Sequence, residues 1–273
     1  YSQFTHAQGL KYWIEYLRSL KWHCGGTLYW KFNDPVAPNR ENMLFPSLMS
    51  CIDFFRLPKL AYYYARRAYE DKILAFREDM EGNLAVYGCN ETDDAPEGSL
   101  CVSLKTYGGE TVWSDTVTCV LEKDNASLLY SVPAERLTAV QGNSCYLHAS
   151  FTAGKEYLSN LFHLTEVGEW NQVQMPPAVL KAEWKERGDG IFEITVSTDS
   201  FAQDVTIEIL DEDVYYSDNS FCLESGESKT IQARITAPAG SRGAGKMRIR
   251  AYHAKPLCFR FTRGGNGYEI QAC

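Results

Sequence analysis

Gly26-Thr27-Leu28-Tyr29-Trp30-Lys31-Phe32-Asn33-Asp34 is the stretch on which the fold turns. Its first five residues, preceded by Gly25, are rich in β-formers and read as a short buried strand. Upstream, Leu10, Trp13, Ile14 and Leu17 keep the i, i+3, i+4, i+7 spacing of one helical face, which predicts a helix over 7–20. Downstream, a polar loop punctuated by proline runs from Asn33 to Pro46. Pro58 then stands near the start of a second helix over 59–69, a place that suits proline. Helix, strand, loop, helix amounts to one and a half βα units. That is too little to close a parallel sheet, which must be covered on both faces, so more chain is expected before Tyr1.

After Asp71 the period changes from 3.6 to 2. Segments near Ile73–Phe76, Asn83–Gly88, Leu100–Thr106, Glu110–Leu121, Ser127–Val132, Cys145–Phe151 and Tyr157–Leu164 alternate or carry β-formers, with turn clusters between them. This is the pattern of an immunoglobulin-like sandwich. Met175-Pro176-Pro177 makes a stiff linker. Beyond it, Leu180/Ala182/Trp184, Phe192/Ile194/Val196, Val205/Ile207/Ile209, Ile231/Ala233/Ile235 and Met247/Ile249/Ala251 predict a second sandwich ending near Leu257. The tail, with Gly264-Gly265-Asn266-Gly267, reads as a hairpin.

Among 273 residues, 45% are hydrophobic and 23% charged, the balance of an ordinary globular protein. A net charge of -8 argues against nucleic acid, which needs a basic stripe to displace counterions. It fits poorly with anionic membranes and leaves a neutral ligand such as a sugar open. No apolar run is long enough to span a bilayer. The nine cysteines are odd in number and irregular in spacing, with no CxxC pair. That predicts no metal site and favours free thiols in a reducing, cytoplasmic setting over a disulfide framework, with a secreted or lysosomal location left open. No Gly-rich loop precedes a helix, so no nucleotide cofactor is implied.

Residues 7–15, Ala7-Gln8-Gly9-Leu10-Lys11-Tyr12-Trp13-Ile14-Glu15, followed by the stretch 26–34, resemble the seventh helix and eighth strand of the (β/α)8 barrel in β-mannosidases of glycoside hydrolase family 2. Cys51-Ile52-Asp53-Phe54-Phe55-Arg56-Leu57-Pro58-Lys59 and Tyr62-Tyr63-Tyr64-Ala65-Arg66-Arg67 are similar to the segment and final helix that follow in that family. Val214-Tyr215-Tyr216-Ser217-Asp218-Asn219-Ser220-Phe221 resembles its terminal sandwich more weakly. Lys31 and Pro35-Val36-Ala37-Pro38 depart from the family pattern. The resemblance implies a mainly β chain of two immunoglobulin-like β-sandwiches preceded by a partial (β/α)8 barrel end, divided as 1–71, 72–175 and 176–273.

It also implies a retaining exo-glycosidase that hydrolyses terminal β-linked sugars such as β-mannosides. Two carboxylates about 5–5.5 Å apart would serve as nucleophile and acid/base. Both lie on earlier barrel strands in the family, so no catalytic residue is assigned here. Asp34 sits where barrel active sites form but has no plausible second carboxylate, since Glu15 belongs to a helix and Glu41 to a loop. Trp30, Asn33 and Asp34 are expected to wall the substrate site, the indole stacking on a sugar and the other two bonding hydroxyls. Barrel-core packing competes for Trp30, and a turn or cap for Asn33-Asp34. Tyr62-Tyr63-Tyr64 point in different directions on a helix and read as packing. The implied partners are a carbohydrate substrate and the rest of the barrel. A stand-alone carbohydrate-binding or adhesion module with a helical cap is the alternative.

Overall fold

The computed structural model describes residues 2–35, 49–138, 144–165, 167–188, 190–210, 212–235, 244–264 and 267–272. The expected loop of 33–46 lies mostly outside the described residues, as do Glu41, residues 36–38 of the divergent loop, the glycine-rich turn at 265–266, and Cys273. The chain divides into two compact units, Tyr1–Gln174 and Met175–Cys273, at the proline-rich linker.

In the first unit, helix α1 (Ser2–Arg18) packs on helix α2 (Leu60–Ala68). Ala7, Cys51, Ala61 and Tyr64 form one small core between them, and Ile14, Ala65 and Ala68 another. Lys59 is the N-cap of α2 in an extended conformation, directly after Pro58. Tyr63 and Tyr64 are buried, so the tyrosine run packs as its helical spacing predicts.

Seven strands follow, β1 (Lys72–Glu78), β2 (Leu84–Asn90), β3 (Glu97–Thr106), β4 (Thr111–Val120), β5 (Asn125–Val132), β6 (Cys145–Ala153) and β7 (Glu156–His163). They form the sheets β1-β2-β5 and β4-β3-β6-β7. Leu74, Phe76, Leu84 and Val86 of the first sheet meet Leu100, Val102, Leu104, Leu147 and Phe151 of the second in one core. Period-2 alternation places these side chains on facing surfaces. Helix α1 is tied to this sandwich by the buried Glu15, which accepts from Lys11 at 3.0 Å and from Asn160 at 3.1 Å. Asn160 also donates to the Leu74 carbonyl at 2.6 Å.

The second unit has sheets β11-β13-β9-β8 and β12-β10-β14-β15-β16. Their strands are β8 (Leu180–Gly188), β9 (Ile191–Thr198), β10 (Ala202–Leu210), β11 (Val214–Tyr216), β12 (Phe221–Leu223), β13 (Ser228–Ile235), β14 (Ala244–Tyr252), β15 (Leu257–Gly264) and β16 (Gly267–Ala272). Trp184 of β8 meets Phe259 of β15 across the two sheets at 4.5 Å between ring centroids. The sandwich therefore does not end near Leu257. Strand β15 pairs with β14 from Leu257 to Thr262, and the tail hairpin adds β16 to the same sheet. Phe259 and Phe261 are buried there, which is why the tail joins the core. The buried Asn219 side chain both accepts from Ile207 N and donates to Ile207 O at 2.8 Å, replacing a backbone partner where β10 would lack one.

The eight described cysteines are free thiols, with Cys51, Cys89 and Cys145 buried and Cys258 exposed. Burial pushes the Cys89 thiol up to about 12, and the thiolate is the reactive form. A thiol-specific reagent should therefore label Cys258 rapidly in the native protein and the buried three only after denaturation. Titration in denaturant without reductant should find them unpaired, and a result showing most cysteines already bridged would refute this.

Candidate substrate-site segment

The segment 26–34 differs from the expected buried strand in two respects. Residues 26–29 form no regular element and Trp30 lies in a bend, so they join no ladder among the described residues, and pairing begins only at Lys31. There the backbone bonds run from Lys31 N to Met49 O at 3.2 Å, Cys51 N to Phe32 O at 3.1 Å and Asp34 N to Ile52 O at 3.0 Å. The second difference is burial. Leu28, Trp30 and Phe32 are exposed, Leu28 completely and Trp30 at 82%. Tyr29, in contrast, turns inward onto the Ala7/Cys51/Ala61/Tyr64 cluster. The segment thus keeps strand-like alternation, with its inner side packed on the two helices and an apolar side left uncovered. A strand needs neighbours, and the only neighbour within the described residues is 49–52. The Trp30–Lys31 peptide is cis.

Asp34 occupies a different environment from Trp30. It is 1% exposed, and both carboxylate oxygens are engaged, one by the Ser50 hydroxyl and the other by Lys59 Nζ at 2.7 Å. Lys59 also donates to Ser50 Oγ at 2.7 Å. Burial alone would raise the Asp34 carboxyl. Hydrogen bonds from Lys59 and Ser50, with the charges of Lys59 and Lys31, outweigh it and hold the group below its ordinary value of 3.8. The three expected site residues are therefore not presented alike. Trp30 is open, Asn33 is exposed with its amide on the Asp34 carbonyl at 3.3 Å, and Asp34 is a buried anchor. Sequence reasoning missed Ser50 and Lys59. The only signal was that Lys59 closes the family-like segment 51–59. Among the described residues no group of three His, Cys, Asp or Glu could hold a metal ion.

The anchor makes a pH prediction. A carboxylate with a depressed folded value stabilises the fold fully above its unfolded value, and that stability is lost as the pH falls through the folded one. Protection of the Asp34 and Cys51 amides, corrected for intrinsic exchange, should hold at neutral pH and fall once the pH drops below 3.8. Asp34→Asn should flatten this dependence. Protection unchanged in acid would contradict the anchor role.

Two families match the chain. One, described as a mannosidase Ig/CBM-like domain, covers residues 82–166. The other, described as the Ig-fold domain of mannosidases, covers 174–253. Among solved structures, the β-D-mannosidase from Dictyoglomus thermophilum superposes with a TM-score of 0.72 at 21% identity, over 91% of this chain and 29% of that enzyme. The exo-chitosanase CsxA from Amycolatopsis orientalis gives a TM-score of 0.65 at 19% identity, over 99% of this chain and 34% of its own. The chain thus spans about a third or less of the length of these proteins. At these identities the likeness is one of fold. The comparison with curated proteins finds no match. Two mannosidase-type domains in series, at residues 82–166 and 174–253, on a fold shared with these structures, support reading the chain as the C-terminal portion of a β-mannosidase-type protein of glycoside hydrolase family 2.

Proposed function

We propose that the chain serves a retaining exo-β-glycosidase acting on terminal β-linked sugars, with β-mannosides first and β-glucosaminides second. On this reading residues 1–71 are the closing end of its catalytic barrel, and the two sandwiches brace that barrel. The observation that carries the reading is the uncovered apolar side made by Leu28, Trp30 and Phe32 on a segment whose other side is packed. Contiguous exposed apolar surface marks a place that another surface or a ligand covers. Barrel neighbours would cover Leu28 and Phe32, while Trp30 and Asn33, at the C-terminal end of the segment, would wall the sugar site. Asp34 then acts as a positioning residue, because its oxygens are held by Lys59 and Ser50. The catalytic pair would come from earlier barrel strands. The free thiols support work in a reducing, cytoplasmic compartment.

The test uses aryl β-mannosides and aryl β-glucosaminides. The purified chain should release no aryl alcohol, because it lacks the two carboxylates that retaining hydrolysis needs. The complete polypeptide should release it with retention of anomeric configuration. Turnover that copurifies with the chain alone and survives Asp34→Asn would overturn the proposal.

A further inference from the structure

A cleft of about 430 Å³ opens beside the end of α1 and the irregular stretch 21–27 that follows it. Lys21, Trp22, Gly25, Thr27, Tyr69 and Glu91 line it. Its volume falls within the roughly 300–1,000 Å³ usual for small-molecule sites. It shares no residue with the Trp30–Asp34 stretch.

Trp22 is 72% exposed and has a φ of 70°, a left-handed conformation that bulky side chains rarely adopt. The turn around it is fixed by His23 N and Cys24 N, both bonded to the Leu20 carbonyl at 2.8 Å. An indole held outward by such a turn is a preset platform, and outliers of this kind concentrate at ligand sites. Lys21 lies over the ring, 5.4 Å from its centroid.

The charges around the platform are already matched. Lys21 bonds Glu91 at 2.5 Å and Asp124 at 2.6 Å, and Arg18 bonds the carbonyls of Ala68 and Glu70. A phosphate or carboxylate ligand would find these cations engaged and would meet the Glu91 carboxylate, whose side chain is 41% exposed. The remaining polar groups are neutral, namely the Thr27 and Tyr69 hydroxyls, 2.5 Å apart. Gly25 leaves the wall bare, since a side chain built there meets nothing within 4 Å. An aromatic platform beside a carboxylate and paired hydroxyls matches an amphipathic ligand with an apolar face and a hydroxylated edge.

We propose that this cleft is a saccharide-binding site. It takes a neutral pyranose whose C–H face stacks on Trp22 and whose hydroxyls bond Glu91 and the Thr27–Tyr69 pair. The choice of sugar rests on the function proposed above, while the shape and charge of the cleft stand without it.

Saturation-transfer NMR of the chain with methyl β-mannopyranoside and methyl β-glucopyranoside tests the assignment. Transfer to at least one glycoside is expected, weakened at least about 10-fold in apparent affinity by Trp22→Ala. Gly25→Leu should weaken it similarly while leaving the unfolding midpoint in place, because its side chain enters open space. This second variant decides the matter if Trp22→Ala fails to fold. Leu28→Ala, at an exposed residue outside the cleft, should leave binding intact. Absence of transfer to both glycosides, or binding that survives Gly25→Leu, would overturn the site. So would binding lost in Trp30→Ala and kept in Trp22→Ala, a result that leaves the proposed function standing.

Discussion

Replacing Trp30 with alanine in the complete enzyme should lower kcat/KM by about two orders of magnitude, while the unfolding of the present chain stays unchanged. The two halves of this expectation come from the same observation. Trp30 is 82% exposed and contributes nothing to the cores described above, so its loss here should cost less than about 0.5 kcal/mol. In the proposed active site the indole excludes water and holds the sugar ring against the nucleophile, and mispositioning by about 1 Å costs on the order of 10²-fold in rate. Trp30→Phe should keep part of the activity because some stacking surface remains. If Trp30 were barrel core in the complete enzyme, activity would instead fall in step with stability, and each folded molecule would turn over normally. Measuring kcat/KM together with thermal unfolding for both variants separates the two cases.

Trp170→Ala should destabilise the first unit by roughly 3–5 kcal/mol, the range for removing a large buried aromatic. Trp170 lies in a 3₁₀ turn, Val167–Gln172, and is 2% exposed. Its ring centroid is 4.6 Å from Phe4 of α1 and 4.6 Å from His163 of β7. His163 in turn meets the Tyr107 hydroxyl at 2.7 Å. The substitution thus opens a cavity and loosens α1 from the sandwich together. In a denaturant titration the transition of the first unit should move to lower concentration. That of the second, which contains none of these residues, should stay in place. An equal shift of both transitions would contradict the division into units.

The first sandwich was legible because its strands alternate, as in Leu100, Val102 and Leu104, or carry runs of β-formers, as in β1, with turn clusters between them. The second was harder to read. Strands β11 and β12 have three residues each, too few to show a period. Strand β15 follows Pro256, and its alternating Phe259 and Phe261 lie beside a glycine-rich run that reads as a turn. Before the first sandwich, the alternation at 28–32 is written in the sequence, but which face is covered depends on neighbours the local pattern does not contain. The same holds for Asp34. Its partners Ser50 and Lys59 stand 16 and 25 residues away, and only folding brings a buried carboxylate and an ammonium together. The cleft at Trp22 was missed because nothing in Leu20-Lys21-Trp22-His23 signals the left-handed turn that aims the indole outward.

The edges of the second unit's sheets bear on how the protein behaves in concentrated solution. An unpaired strand edge is a template for a foreign strand, and natural sheets protect edges by shortening or charging them. Strands β11 and β12, each at the end of a sheet, are only three residues long. Strand β8, at another end, carries Lys181, Glu183, Lys185, Glu186 and Arg187. Three of the four edges therefore discourage intermolecular β-pairing. The fourth is β16, with the sequence Gly-Tyr-Glu-Ile-Gln-Ala and a single charge. Ordered self-association of this unit, where it occurs, should begin along that last strand, and a lysine introduced there should delay it.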